Sequence, residues 1–175
     1  MTEGRPNAAR AIDVRDLLEH PGSAREVHLA EPFEGLESAL AEVPPDVPVQ
    51  VDVLLESVVE GVLVSGPLSG RIEYRCARCL KPFSGDFRVE VTELFALEPG
   101  PEEDHYPVRD GAIDLEPMVR DAVLLAIPFS PLCRSDCLGL CERCGGDRNL
   151  GECTCPPAVD PRWEPLSRLG LDRLT

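Results

Sequence analysis

The eight cysteines of this chain constrain its fold more than any other feature, because they occur as four close pairs. The pairs are Cys76-x2-Cys79, Cys133-x3-Cys137, Cys141-x2-Cys144 and Cys153-x-Cys155. Two neighbouring thiolates have the separation that tetrahedral zinc requires, and a second pair completes a four-sulfur site with bonds of roughly 2.3 Å. Four pairs therefore predict two zinc ions, each in a closed and structural site.

Chain proximity gives a hypothesis for how the four pairs combine. The last two pairs are near enough in sequence to close one site within a single loop. We name these residues the second thiol site: Cys141, Cys144, Cys153 and Cys155. The remaining residues would then meet across the fold as the first thiol site: Cys76, Cys79, Cys133 and Cys137. Spacing alone leaves other combinations open.

Disulfides, iron–sulfur clusters and redox dithiols are the other uses of so many cysteines. No stretch is apolar enough to span a bilayer and residues 1–10 lack the core of a secretory signal, so we expect a cytoplasmic protein. Its reducing environment disfavours disulfides. A redox dithiol at Cys76 and Cys79 is disfavoured because strands flank the pair. Ligand type leaves an iron–sulfur cluster open, although the spacings differ from those of ferredoxins.

Hydrophobic periodicity predicts an antiparallel sheet followed by a helix. Alternating apolar residues predict strands over 25–30, 49–55, 58–64, 69–75 and 83–95, with a turn at Gly66-Pro67. Helical spacing predicts helices over 34–43, 114–126 and 161–171. The expected fold class is α+β, an antiparallel sheet or small open barrel packed by one or two helices and followed by a cysteine-rich tail.

Two parts of the chain differ in how they can be stabilised. Residues 1–130 carry the apolar periodicity of a sheet domain with its own core. Beyond Pro131 this periodicity gives way to cysteine, glycine and charge, so residues 131–175 need a cross-link to be ordered. We expect a zinc-binding tail with a short C-terminal helix, docked on the sheet domain through Cys76 and Cys79.

The charge of the chain bears on its partners. A formal net charge of -15 repels phosphate at long range and favours solubility or a basic partner, such as a ribosomal protein. One basic group surrounds the first cysteine pair and is a candidate contact for RNA or a partner: Arg71, Arg75, Arg78, Lys81 and Arg88. We expect a protein that contacts no membrane.

No residue pattern indicates catalysis. The three histidines are isolated from the cysteine pairs, and the chain has neither a glycine-rich phosphate loop nor a nucleophile elbow. A closed four-sulfur zinc ion offers no open coordination position. We therefore expect no enzyme activity and no small-molecule substrate.

Several motifs resemble those of the bacterial YceD proteins, described as large-subunit ribosomal RNA accumulation proteins. The motifs are residues 56–61 (ESVVEG), 76–83 (CARCLKPF), 113–117 (IDLEP), and a tail that resembles the cysteine-rich form of the family through residues 131–141 and 144–150. The resemblance implies a non-enzymatic ribosome-biogenesis factor acting on the large-subunit precursor. Direct RNA binding through the basic group is one alternative, and an iron–sulfur or RNA-modifying enzyme is another.

Overall fold

The computed structural model describes residues 11–100, 105–156 and 162. The predicted fold class is confirmed, since the described residues form a mostly antiparallel sheet with one main helix. The strands are β1 (Ala11–Asp13), β2 (Ala24–Glu31), β3 (Glu37–Ser38), β4 (Ala41–Glu42), β5 (Val49–Val58), β6 (Gly61–Arg75), β7 (Pro82–Ala96), β8 (Tyr106–Pro107) and β9 (Ala112–Asp114). The helices are α1 (Arg15–Glu19), α2 (Glu116–Ala126) and a 3₁₀ turn, Arg148–Leu150.

The long strand β6 organises an open seven-stranded sheet. One edge of β6 pairs first with β5 and, near its end, with β4, while β7 pairs along the whole opposite edge. β2 extends the sheet beyond β5, and β8 adds a short parallel pairing to β7. β1 and β9 form a separate two-stranded sheet.

One face of the sheet forms the core. Alternate residues of β5 are fully buried, as the period-2 pattern predicted, and the inward side chains of β6 continue this layer. Helix α2 packs against β7 and buries Met118, Val119 and Val123. It ends at Ile127, whose extended conformation is the one favoured before Pro128. No helix in the described part of the chain has the length and apolarity needed to cross a membrane.

Two local predictions were wrong. Residues 34–43 form the β3–β4 hairpin and not a helix, with Val43 donating its backbone N–H to Leu36 O at 2.9 Å. Gly66-Pro67 lies inside β6 and not in a turn. The turn that joins β5 to β6 consists of Val59 and Glu60, between Val58 and its partner Gly61. The helix predicted over residues 161–171 lies outside the described residues.

The hairpin between β6 and β7 places the first cysteine pair at the end of the sheet. Arg75 pairs with Pro82, and Cys76 and Cys79 lie in the connection. The Tyr74 and Phe83 rings stack beside it at 5.0 Å between centroids. The long paired strands therefore hold this connection rigidly at one end of the molecule.

Candidate metal centres

The first thiol site begins with a tight backbone turn, the first knuckle (residues 76–81). Leu80 donates its N–H to Cys76 O at 2.9 Å, and Cys76 donates its own N–H to Lys81 O at 3.0 Å. Leu80 adopts a left-handed conformation with φ of 58°. This turn brings the two cysteine side chains to the same side of the backbone.

The second knuckle (residues 141–146) repeats this hydrogen-bond pattern position for position. Gly145 donates to Cys141 O at 2.8 Å, and Cys141 donates to Gly146 O at 2.9 Å. Gly145 has a φ of 72° and matches Leu80 in the first knuckle. A left-handed glycine carries no steric penalty, whereas a left-handed leucine is strained.

This difference gives a stability prediction for a matched pair of variants. Leu80→Gly relieves about 1–2 kcal/mol of left-handed strain and loses about 0.5–1 kcal/mol to chain entropy, so stability should rise by up to about 1 kcal/mol. Gly145→Ala should lower stability by about 1 kcal/mol. Chemical denaturation of the zinc-saturated chain measures both. Destabilisation by Leu80→Gly would contradict the assignment of strain.

The four sulfurs of the first thiol site lie at the spacing of a metal tetrahedron. All four Sγ atoms are within 4.8 Å of one another. Cys76 Sγ is 3.8 Å from Cys137 Sγ, and Cys79 Sγ is 3.7 Å from Cys133 Sγ. Bonds of roughly 2.3 Å to a central zinc place tetrahedral sulfurs ~3.8 Å apart. The four sulfur atoms and their spacing therefore fit a metal ion bound by four thiolates.

Burial and packing separate the first thiol site from solvent on most sides. Cys76, Cys79 and Cys137 are buried, while Cys133 is exposed. Phe83, Leu132 and Leu140 pack against the three buried cysteines and form a small cluster distinct from the main core. The site thus acts as a second core at the end of the sheet.

The four sulfurs of the second thiol site also lie within 4.8 Å of one another. Here only Cys141 is buried. Cys144 is exposed, and Cys153 and Cys155 are half-buried. The site closes a loop that contains the 3₁₀ turn, which Asp147 caps by accepting from the Asn149 N–H at 2.8 Å. Cys141 is thus the one ligand of this site that is shielded from solvent in the described part of the chain.

Backbone amides favour the thiolate form at the start of each knuckle. Burial acts to raise the pKa of Cys76, but N–H groups of Cys133, Cys79 and Arg78 outweigh it and lower that pKa to about 6. The N–H groups of Cys144 and Arg143 lower the pKa of Cys141 to about 6 as well. The thiolate is the form that binds metal, so these N–H groups favour the metal-binding form of one sulfur in each site.

Backbone hydrogen bonds attach the tail to the first knuckle. Ala77 donates its N–H to Pro131 O at 2.8 Å, and Leu140 donates to Arg78 O at 3.0 Å. Gly139 lies against Arg78 so closely that a Cβ atom there would be 2.9 Å from the Arg78 carbonyl oxygen. Residues 131–140 therefore contact the hairpin end directly.

Polar side-chain contacts that the sequence did not predict complete this attachment. Lys81 Nζ is 2.7 Å from Asp147 Oδ2, and this ion pair lowers the pKa of Asp147 to about 2. Asn149 lies close to Cys137, Leu138 and Arg134. The glycines and turn residues around Asp147 and Asn149 suggested a loop, but only the folded structure shows what these side chains contact.

The basic group near the first knuckle is largely paired. Arg78 donates to Cys137 O at 2.7 Å, and Lys81 contacts Asp147. Arg88 is 3.3 Å from Glu90, and Arg71 donates to Ser84 Oγ at 3.1 Å. Arg75 is exposed at the end of β6. The five residues thus form a mixed-charge surface and not a uniform basic patch.

Comparison with known proteins places this arrangement in a family. Residues 64–170 match the family model described as large ribosomal RNA subunit accumulation protein YceD. The chain belongs to the YceD family. The matched YceD region contains both thiol sites, β7, α2 and most of β6. The resemblance of the sequence motifs to this family is thereby confirmed.

Relatives of the chain fall into two groups. An uncharacterized protein of Mycobacterium tuberculosis is 39% identical over 164 residues, covering 89% of this chain and 78% of the relative. A second, from Mycobacterium leprae, is 35% identical over 165 residues, with 89% and 75% covered. The chloroplastic YCED homolog 1 of Zea mays is 39% identical over 63 residues, which are 35% of this chain and 22% of the plant protein. No solved structure matches the chain.

Proposed function

We propose that this protein is a non-enzymatic factor that supports accumulation or assembly of large-subunit ribosomal RNA in the cytoplasm. The YceD match over residues 64–170 carries this proposal, since the family is described by large ribosomal RNA subunit accumulation. The two four-thiol clusters support a scaffold, because a metal held by four thiolates keeps no position open for a substrate.

The proposed zinc ions act as cross-links within the fold. In the first thiol site an ion joins the hairpin end to Cys133 and Cys137, and in the second it closes the loop between Cys141 and Cys155. Structural zinc contributes its binding energy directly to folding. We propose that residues 131–175 form a tail docked in this way on a sheet domain of residues 1–130.

Metal analysis by native mass spectrometry tests the cofactor. We expect two zinc ions for each chain, and Cys76→Ser and Cys155→Ser should each remove one. Arg143→Ala, an exposed change within the second knuckle, is the control that should retain both. Iron with visible absorbance would replace the proposal with an iron–sulfur protein and reopen an enzymatic role.

Depletion tests the biological role. Loss of the protein should lower the amount of large-subunit ribosomal RNA relative to small-subunit ribosomal RNA, and the wild-type gene should restore the ratio. A ratio that stays unchanged on depletion would refute the proposal. Complementation with Cys76→Ser, compared with Arg143→Ala, then shows whether the first thiol site is needed for the role.

A basic ribosomal protein or the precursor particle is the partner that the charges favour. The net charge of -15 opposes free RNA, and three of the five residues in the basic group contact a carboxylate or a backbone carbonyl. Capture of large-subunit proteins by the tagged full chain, which should weaken as salt increases, tests this choice.

Direct RNA contact through Arg71 and Arg75 is the second candidate, because both are exposed on the outer face of β6. Binding of a purified large-subunit ribosomal RNA fragment would then weaken in Arg71→Glu and Arg75→Glu and show a smaller salt dependence. Arg143→Glu makes the same charge change in the second knuckle and serves as the control. Equal binding by all of these variants would exclude this surface.

A further inference from the structure

The loop closed by the second thiol site contacts the ligands of the first. Residues 147–149 lie between the pairs Cys141/Cys144 and Cys153/Cys155, so closure of the second site determines their position. The loop is further tied by Glu152, which donates its N–H to Asp147 O at 3.3 Å and accepts from the Asp147 N–H at 3.1 Å.

Asn149 is the side chain that joins the two sites. Its Oδ1 accepts from the Leu138 N–H at 2.8 Å and from Arg134 Nη2 at 2.7 Å. Both of these groups are donors only, so the amide oxygen must face them and the amide nitrogen must face the other way. That nitrogen donates to Cys137 Sγ at 3.6 Å and to Asp147 Oδ1 at 2.7 Å.

Two further contacts hold the loop on the first site. Lys81, the last residue of the first knuckle, contacts Asp147 Oδ2, and Arg148 donates its N–H to Gly139 O at 3.0 Å. Among the described residues, these partners lie in the first knuckle or between Cys133 and Gly139. The loop therefore contributes a hydrogen-bond donor to a sulfur that it does not itself supply.

We propose that the two thiol sites are coupled, with Asn149 as a positioning residue that lets the second site stabilise metal held in the first. The inference depends on the proposed zinc sites. Hydrogen bonds to ligating groups typically change metal affinity by about 10–100-fold. Closing the second site positions the Asn149 amide beside Cys137, and opening it removes that donor from the sulfur. The coupling is reciprocal, since each site alters the affinity of the other by the same factor.

The rate of zinc release from the first site tests this inference in the full-length, zinc-loaded protein. A chromophoric chelator measures release, and Cys76→Ser identifies the phase that belongs to the first site. Asn149→Ala should accelerate that phase about 10-fold. Asn149→Asp keeps the acceptor for Leu138 but faces the sulfur with a carboxylate, so it should accelerate release at least as much. Val59→Ala, an exposed change between β5 and β6, should change neither phase.

A double-mutant cycle distinguishes coupling from a local effect of the amide. Opening the second site with Cys153→Ser and Cys155→Ser together should accelerate first-site release by about the same 10-fold, and adding Asn149→Ala should have little further effect. First-site release that is unchanged when the second site is opened would overturn the coupling. The coupling would also be overturned if opening the second site and Asn149→Ala accelerated first-site release independently, so that the combined variant showed the product of the two accelerations.

Cadmium-113 NMR supplies a readout of structure that release rates do not give. The cadmium-loaded protein should show two resonances, and Asn149→Ala should shift the one assigned to the first site. A resonance that does not move would contradict the hydrogen bond to Cys137. A wild-type chain that binds no metal refutes the proposed zinc sites as well, whereas two ions released independently refute the coupling alone.

Discussion

Cys76→Ser is expected to cost the folded protein on the order of 4 kcal/mol at fixed zinc concentration, within the range produced by loss of a metal site. Cys76 is fully buried at the junction of the sheet and the tail. A serine hydroxyl does not replace a thiolate ligand, so the variant loses the cross-link between the hairpin and Cys137. Thermal unfolding followed by circular dichroism measures the loss.

Cys153→Ser is the matched comparison for that experiment. Cys153 is half-buried and closes a local loop, so its loss should cost the sheet only the coupling to the first site, about 1.4 kcal/mol for a 10-fold effect. Limited proteolysis should then cut within residues 145–156 and leave the sheet intact. A loss of sheet stability equal to that of Cys76→Ser would show that the tail and sheet unfold as one unit.

Gly66→Ala is the second change with a large expected effect, about 3 kcal/mol of destabilisation. Gly66 has a φ of 144°, and a Cβ atom there would be 2.3 Å from Asp52 O and 3.0 Å from Val53 Cα. Both atoms belong to the backbone of β5, so the central pair of strands would have to separate. A urea titration of the full chain measures the cost.

Gly85→Ala is the control, because it lies in the same sheet without these constraints. A Cβ atom at Gly85 would meet only Tyr74 Cε2, at 3.4 Å, and the backbone there is not left-handed. Its stability should stay within about 1 kcal/mol of the wild type, since alanine reduces the entropy of the unfolded chain. If both variants lost stability equally, the close approach of β5 would not be the cause.

Periodicity predicted the elements whose residues contact one continuous core. In β5 the alternation of buried and exposed residues follows directly from the sequence, and in α2 the helical repeat places Met118, Val119 and Val123 on the sheet. In both elements the local preference and the tertiary environment agree. Such elements are predictable because the same apolar side chains define the period and form the core.

The errors arose where pairing with a distant strand overrode a local signal. Leu36, Leu40 and Val43 have helical spacing, yet the end of β6 supplies hydrogen bonds such as Arg75 N–H to Leu40 O at 2.7 Å. A ten-residue helix is marginal alone, so pairing decides its conformation. At Gly66-Pro67 the turn residues lie inside a strand because the closely packed backbone of β5 leaves no room for a side chain.

The thiol sites were predictable only in part, for a related reason. Cysteine spacing groups residues that are close in sequence, and the structure places the same two sets of four sulfurs together. The contact of Lys81 with Asp147 joins segments that are distant in sequence, and that of Asn149 with Cys137 joins one thiol site to the other. No repeating sequence pattern predicts such polar contacts, because each is a single contact that depends on the tertiary fold.

The first thiol site is divided between two parts of the chain that the ribosome makes at different times. Cys133 follows Cys79 by 54 residues, and synthesis at roughly 5–20 residues per second makes it available about 3–11 s later. The β6–β7 hairpin can form during that interval and present only two of the four thiols. For those seconds Cys76 and Cys79 lack the cover that Leu132, Cys137 and Leu140 give them in the folded protein.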